Sequence, residues 1–155
     1  MPQIIPNLWF DTEALYAAEV YCSVFPGSSI DVVSHYPDDT IREAGMVLTV
    51  DFTLDGQRFT AINGGPQFPF TEAVSLLVDC ADQAEIDHYW AALSAGGREG
   101  QCGWLTDRYG VSWQICPADM AGLMSGDRAR TARVFAAMMP MRKLDLATLR
   151  GAADG

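Results

Sequence analysis

The chain has 155 residues, 49% of them apolar, with 10 basic and 20 acidic side chains and a formal charge of −10. That length suits one domain or two small halves with a real core. The acidic excess speaks against a nucleic-acid partner, because phosphate binding needs a positive field, and no run of about 18 apolar residues is present to cross a membrane.

The first ten residues, MPQIIPNLWF, carry neither a basic leader nor a small-residue cleavage site, which predicts a cytoplasmic protein. Cys22, Cys80, Cys102 and Cys116 are widely spaced, with no CxxC or Cys/His grouping of the kind zinc needs. Reduced thiols are expected.

In chain order, Ile4 to Phe10 reads as a short strand. Asp11 or Thr12 can cap a helix over Thr12 to Phe25, with Leu15, Ala18, Cys22 and Phe25 at helical spacing, and Pro26-Gly27 ends it. Ile30 to Tyr36 is rich in β-formers. Met46 to Leu54 alternates, with Met46, Leu48, Val50, Phe52 and Leu54 on one face and Val47, Thr49, Asp51 and Thr53 on the other. Asp55-Gly56 is a hairpin turn, Gln57 to Ile62 the returning strand, and Asn63-Gly64-Gly65-Pro66 a break. Then the order restarts. Ala73 to Val78 reads as a strand, and Ala81 to Ala95 as a helix with Ile86, Tyr89, Trp90 and Leu93 on one face, stopped by Gly96-Gly97. Cys102 to Thr106 and Val111 to Cys116 are strands around an Arg108-Tyr109-Gly110 turn. Helical pieces follow over Asp119 to Met124, Arg128 to Met139 and Lys143 to Leu149, with fraying expected from Gly151.

The two halves overlay. Ile5 to Asp11 matches Ala73 to Asp79, each leading into a helix, and Gly56 to Thr60 matches Gly110 to Gln114, each closing its half. Predicted boundaries are 1–66, 67–117 and a helical segment 118–155.

Five stretches carry a resemblance: Leu8-Trp9-Phe10-Asp11, Asn63-Gly64-Gly65-Pro66, Cys102 to Asp107, Asp107 to Ile115, and Met139 to Asp145. Together they resemble the PhnB-like, or demethylubiquinone methyltransferase-like, family of the vicinal-oxygen-chelate (glyoxalase and bleomycin-resistance) superfamily. The resemblance implies an α+β fold in which two βαβββ modules form an open curved-sheet barrel around a cleft, with helices outside and C-terminal helices added. It also implies a homodimer. Metal-dependent members place His and Glu ligands on the first and last strands of each half. The overlay puts Ile5, Thr60, Ala73 and Gln114 there, two residues without donors and two neutral ones, so neither metal nor other cofactor is expected. His35 and His88 read as surface residues.

Strand parity names the cleft lining. It gives Asn7, Trp9, Thr49, Asp51, Arg58 and Thr60 from the first half, and Ser75, Trp104, Ser112 and Gln114 from the second, with Thr53, Leu77 and Cys116 on the same faces. Each has a plainer reading. Asn7, Ser75 and Gln114 can hydrogen-bond across the seam between the halves, Asp51 can pair with Arg58 across the hairpin, and the tryptophans can be core. Asp51 and Cys102 are the only candidates for chemistry, and Cys102 has no base beside it in sequence.

These features support a protein that binds a small molecule in a metal-free cleft. The alternative is an isomerase, lyase or transferase acting on a small oxygenated substrate. Methyl transfer is not supported, since no strand runs through a glycine-rich turn into a helix. Met138, Met139 and Met141 offer an adaptable apolar surface for an interaction, with packing on the body of the protein or on a dimer mate as the plainer reading.

Overall fold

The alternating stretch around Phe52 becomes the centre of the first half. In the computed structural model, which describes residues 1–155, the strands are β1 (Asn7–Phe10), β2 (Ser29–His35), β3 (Val47–Leu54) and β4 (Gln57–Asn63). They lie in the order β1-β4-β3-β2, with β1 parallel to β4 and the other neighbours antiparallel. Helix α1 (Ala14–Val24) joins β1 to β2 and packs on one face of this sheet. Val50, Phe52 and Leu54 are buried there, while Thr49, Asp51 and Thr53 are only half-buried. Phe52 stacks on Phe59 of β4 with centroids 5.4 Å apart. Full burial of such a side chain is worth about 2–3 kcal/mol. Asp55 and Gly56 have φ of 45° and 80°, the left-handed pair that a two-residue hairpin turn requires.

Two details of α1 differ from the sequence reading. Its buried face is Ala14, Ala17, Ala18 and Tyr21, because small side chains let the helix lie close on the sheet. Its N-terminus has no side-chain cap of its own. Instead Asn63, at the end of β4 and 1% exposed, accepts from the Ala14 N–H at 2.9 Å. A distant residue thus satisfies an amide that local capping leaves open.

The second half repeats the order. Strand β5 (Leu76–Cys80), helix α2 (Gln83–Ser94) and strands β6 (Arg98–Glu99), β7 (Trp104–Thr106) and β8 (Ser112–Pro117) give a sheet ordered β5-β8-β7-β6. Here β5 is parallel to β8 and the rest are antiparallel. Neither sheet closes on itself. Helix α2 is capped by Asp82, which accepts from Glu85 N, and buries Ile86, Trp90 and Leu93. Strand β5 starts three residues later than expected, and β6 has no counterpart in the sequence reading.

The chain divides into two compact units, Met1–Phe70 and Thr71–Gly155. Helices α3 (Met120–Leu123), α4 (Arg128–Met138) and α5 (Leu146–Asp154) belong to the second. The linking stretch after α4 straps down on this unit. Cys102 N–H and Gly103 N–H donate to the Met141 and Arg142 carbonyls at 2.8 Å each. The Gln83 side chain donates to Leu144 O and accepts from Leu146 N. Helix α5 runs on to Asp154 where fraying was expected, because Arg133 donates to the carbonyls of Ala152 and Ala153 and Ala153 is buried. No helix is long and apolar enough to cross a membrane.

Candidate functional site

Each sheet has one face away from its helix, and register decides which side chains share it. In the first unit Asn7, Thr60 and Asp51 form one row across β1, β4 and β3. Trp9, Ile62, Thr49 and Ser34 form the next, and Arg58 lies beside Thr53. Register thus puts Asn7, Trp9, Thr49, Asp51, Arg58 and Thr60 on one face of this sheet. Asn7 and Arg58 are exposed, and Trp9, Thr49, Asp51 and Thr60 half-buried. The Trp9 indole is fixed by a hydrogen bond from Nε1 to Gly65 O at 2.9 Å and by the Phe68 ring, whose centroid is 4.9 Å away. Thr49 shares a hydroxyl hydrogen bond with Ser34. Asp51 stands opposite Thr60 rather than Arg58, and no ion pair joins it to Arg58. Arg58 acts instead on Asp31, whose carboxyl is held below its ordinary range mainly by hydrogen bonds from Ser29 and Thr53. A cavity of about 280 Å³ lies between Gln3–Ile5 and Gly56–Arg58.

In the second unit the matching row is Leu77, Gln114 and Trp104 across β5, β8 and β7. The next row is Ser112, Thr106 and Arg98. The partner of Gln114 is thus Leu77, where that of Thr60 is Asn7, so the overlay of the halves slips by two residues at the first strand. Parity survives the slip, so each side chain keeps its face. The two rows differ in chemistry: the first is polar around an acid, the second apolar around an indole. Gln114 donates from Nε2 to Ser75 Oγ at 2.9 Å within this unit. Ser112, on the same face as Gln114, is 2% exposed.

Beside Trp104 is a cavity of about 390 Å³ lined by Glu72, Arg98, Gly100, Gln101, Trp104, Leu105 and Thr106. Sequence reading found Trp104 but missed Arg98, Glu72 and Thr106. The two-residue strand β6 is too short to show a period. Its one signal is the glycine punctuation at Gly96, Gly97 and Gly100.

Cys102 stands apart from this face. It precedes β7 at φ 58°, and its Sγ lies 3.7 Å from the carbonyls of Met138 and Met139 and 3.9 Å from Met139 Sδ. No base touches it. Burial pushes the thiols of Cys80 and Cys116 up to about 12 and about 11, with the charges of Glu85 and Asp79 respectively adding to the effect, which makes both poor nucleophiles.

The superfamily's divalent ion does not fit these residues. Ile5 and Ala73 lie ahead of β1 and β5 and have no side-chain donor atoms, and Thr60 and Gln114 offer only neutral oxygens with no charge to offset a dication. No three His, Cys, Asp or Glu side chains come close enough to share an ion. S-adenosylmethionine fits no better. The turns from β1 to α1 (Asp11-Thr12-Glu13) and from β5 to α2 (Ala81-Asp82) contain no glycine to admit a nucleotide.

Known proteins place the chain. The family model described as 3-demethylubiquinone-9 3-methyltransferase matches residues 2–116, so the Met139 to Asp145 stretch lies outside the matched region. The PhnB protein of Bacillus cereus, which carries the same methyltransferase description, is 35% identical over 76% of this chain and 100% of its own, with a TM-score of 0.70. Protein PA1353 of Pseudomonas aeruginosa is 20% identical over 74% of this chain and 96% of its own, with a TM-score of 0.62. The fosfomycin resistance protein FosX of Listeria monocytogenes shares the fold at 11% identity over 81% of this chain and 98% of its own, with a TM-score of 0.56. None of the curated proteins matches. The chain therefore belongs to the PhnB-like, 3-demethylubiquinone-9 3-methyltransferase-like family of the vicinal-oxygen-chelate superfamily.

Proposed function

We propose that the protein binds a small molecule without a metal, on the open face of its second sheet beside Trp104. The observation that carries this reading is the cavity of about 390 Å³ walled by that indole. Its size falls within the roughly 300–1,000 Å³ of ordinary ligand sites. One wall is aromatic, and the polar groups are few. FosX has been obtained as a complex with Mn(II); this chain supplies no comparable ligand set. Methyl transfer finds no support in its loops.

Intrinsic fluorescence and thermal unfolding with a panel of small aromatic and oxygenated compounds test the reading. Ligands should shift both, and Trp104→Ala should abolish the shift while leaving the fold intact. A panel that moves neither signal, or an equal response from Trp104→Ala, removes the proposal.

A second reading is an acid–base enzyme using Asp51, an isomerase, lyase or transferase. It rests on Asp51 being half-buried in a polar row with no cationic partner. Asp51→Asn then abolishes turnover of a bound substrate without weakening its binding, and unchanged turnover defeats this version. The family resemblance also supports a homodimer. Light scattering checks the assembly, for which twice 16.9 kDa is the expected mass.

A further inference from the structure

Two opposite charges stand together on the rim of the Trp104 cavity. Arg98 extends from β6, and Glu72 lies a few residues ahead of β5. The Arg98 Nη2 is 3.2 Å from Glu72 Oε1, and the two side chains are 73% and 63% exposed. This contact is the only side-chain hydrogen bond of either residue, so most of the guanidinium's five donors and one carboxylate oxygen remain for a ligand. Trp104, Leu105 and Thr106 line the same cavity, with Thr106 paired to Arg98 in the sheet.

We propose that this cavity takes a zwitterion of the amino-acid type, with its apolar or aromatic body on Trp104, its carboxylate on Arg98 and its ammonium on Glu72. The inference rests on the reading that the Trp104 cavity is a ligand site, and it adds the class of ligand. The argument is one of pairing. A simple anion competes with Glu72 for Arg98 and adds negative charge to a chain already at −10. A simple cation takes Glu72 and leaves Arg98 without its partner. A zwitterion re-pairs both groups and brings no net charge, so four alternating charges replace two. The fork of Arg98 matches a carboxylate in its plane. Gly100 keeps the loop close to β7, because a Cβ there would fall 2.8 Å from Trp104 O, and the two rim charges thus stay near the indole.

The test is calorimetric titration with four compounds that share a phenyl body and differ in charge: phenylalanine, 3-phenylpropionate, 2-phenylethylamine and neutral 2-phenylethanol. Phenylalanine should bind about five-fold more tightly than any of the others, the scale that an exposed ion pair sets. Glu72→Gln should close the gap to 3-phenylpropionate, and Arg98→Gln the gap to 2-phenylethylamine. The double reversal E72R/R98E should keep the preference for phenylalanine, since the pair is retained in mirror order. Equal affinities across the four compounds overturn the zwitterion assignment and leave the cavity standing as a site. Binding by none of them, in protein with native circular dichroism, overturns the cavity reading and this inference with it.

Discussion

The Trp113 indole donates from Nε1 to Asp107 Oδ2 at 2.9 Å, across the turn that joins β7 to β8. The other carboxylate oxygen accepts from the Tyr109 and Val111 amides at 2.8 and 3.0 Å. Asp107 is 6% exposed, so three donors depend on a carboxylate that water hardly reaches. Asp107→Ala should cost about 3 kcal/mol by leaving them unmet. Asp107→Asn should cost about 2 kcal/mol, because one face of an amide presents N–H to N–H. Urea unfolding measures both, and a loss below about 1 kcal/mol for the alanine variant contradicts this account.

Gly64 is needed for contact rather than for backbone angle. A Cβ at this position would lie 2.2 Å from the Trp9 ring. The ring cannot swing freely, since Gly65 O and Phe68 hold it. Gly64→Ala should break the Trp9 hydrogen bond, alter the tryptophan emission and lower stability by about 1–2 kcal/mol. Gly122 is the control. Nothing lies within 4 Å of its Cβ position, so Gly122→Ala in α3 should be neutral or slightly stabilising.

The strap between α4 and α5 holds the second unit closed through Leu144, which is fully buried at 0% exposure. Leu144→Ala should cost about 2–5 kcal/mol. Hydrogen exchange should then rise at the Cys102 and Gly103 amides, which donate to Met141 and Arg142. Protection unchanged at those two amides would mean the strap is held elsewhere.

Stability should fall in alkali for a defined reason. Unfolded thiols ionise near their ordinary value of 9.0, while burial holds folded Cys80 and Cys116 protonated to about 12 and about 11. Between those limits the folded state binds more protons than the unfolded state. The contribution is therefore fully present below pH 9 and is lost as pH rises toward the folded values. The urea midpoint should drop from pH 8.5 to pH 10.5, and less steeply in Cys80→Ala. A parallel slope in that variant rules out the thiol as the cause.

Much of this protein was legible in its sequence because periods survive without neighbours. The alternation from Val47 to Leu54 placed Thr49, Asp51 and Thr53 on one face, since successive strand side chains point to opposite sides whatever the strand pairs with. Asp55-Gly56 marked its hairpin because few residues adopt two left-handed angles in succession. The restart of the strand–helix order showed the two halves. Tertiary structure decided what depends on residues far apart in the chain. Asn63 caps α1 across 49 positions, where local rules pointed to Asp11 or Thr12. Register set Asp51 opposite Thr60 rather than Arg58, and made Leu77 the strand partner of Gln114, whose amide still reaches Ser75. Packing left Ser112 almost without solvent contact, and a two-residue strand without any period brought Arg98 to Trp104. Composition and spacing fix which face a side chain takes; only strand pairing fixes which side chains meet on it.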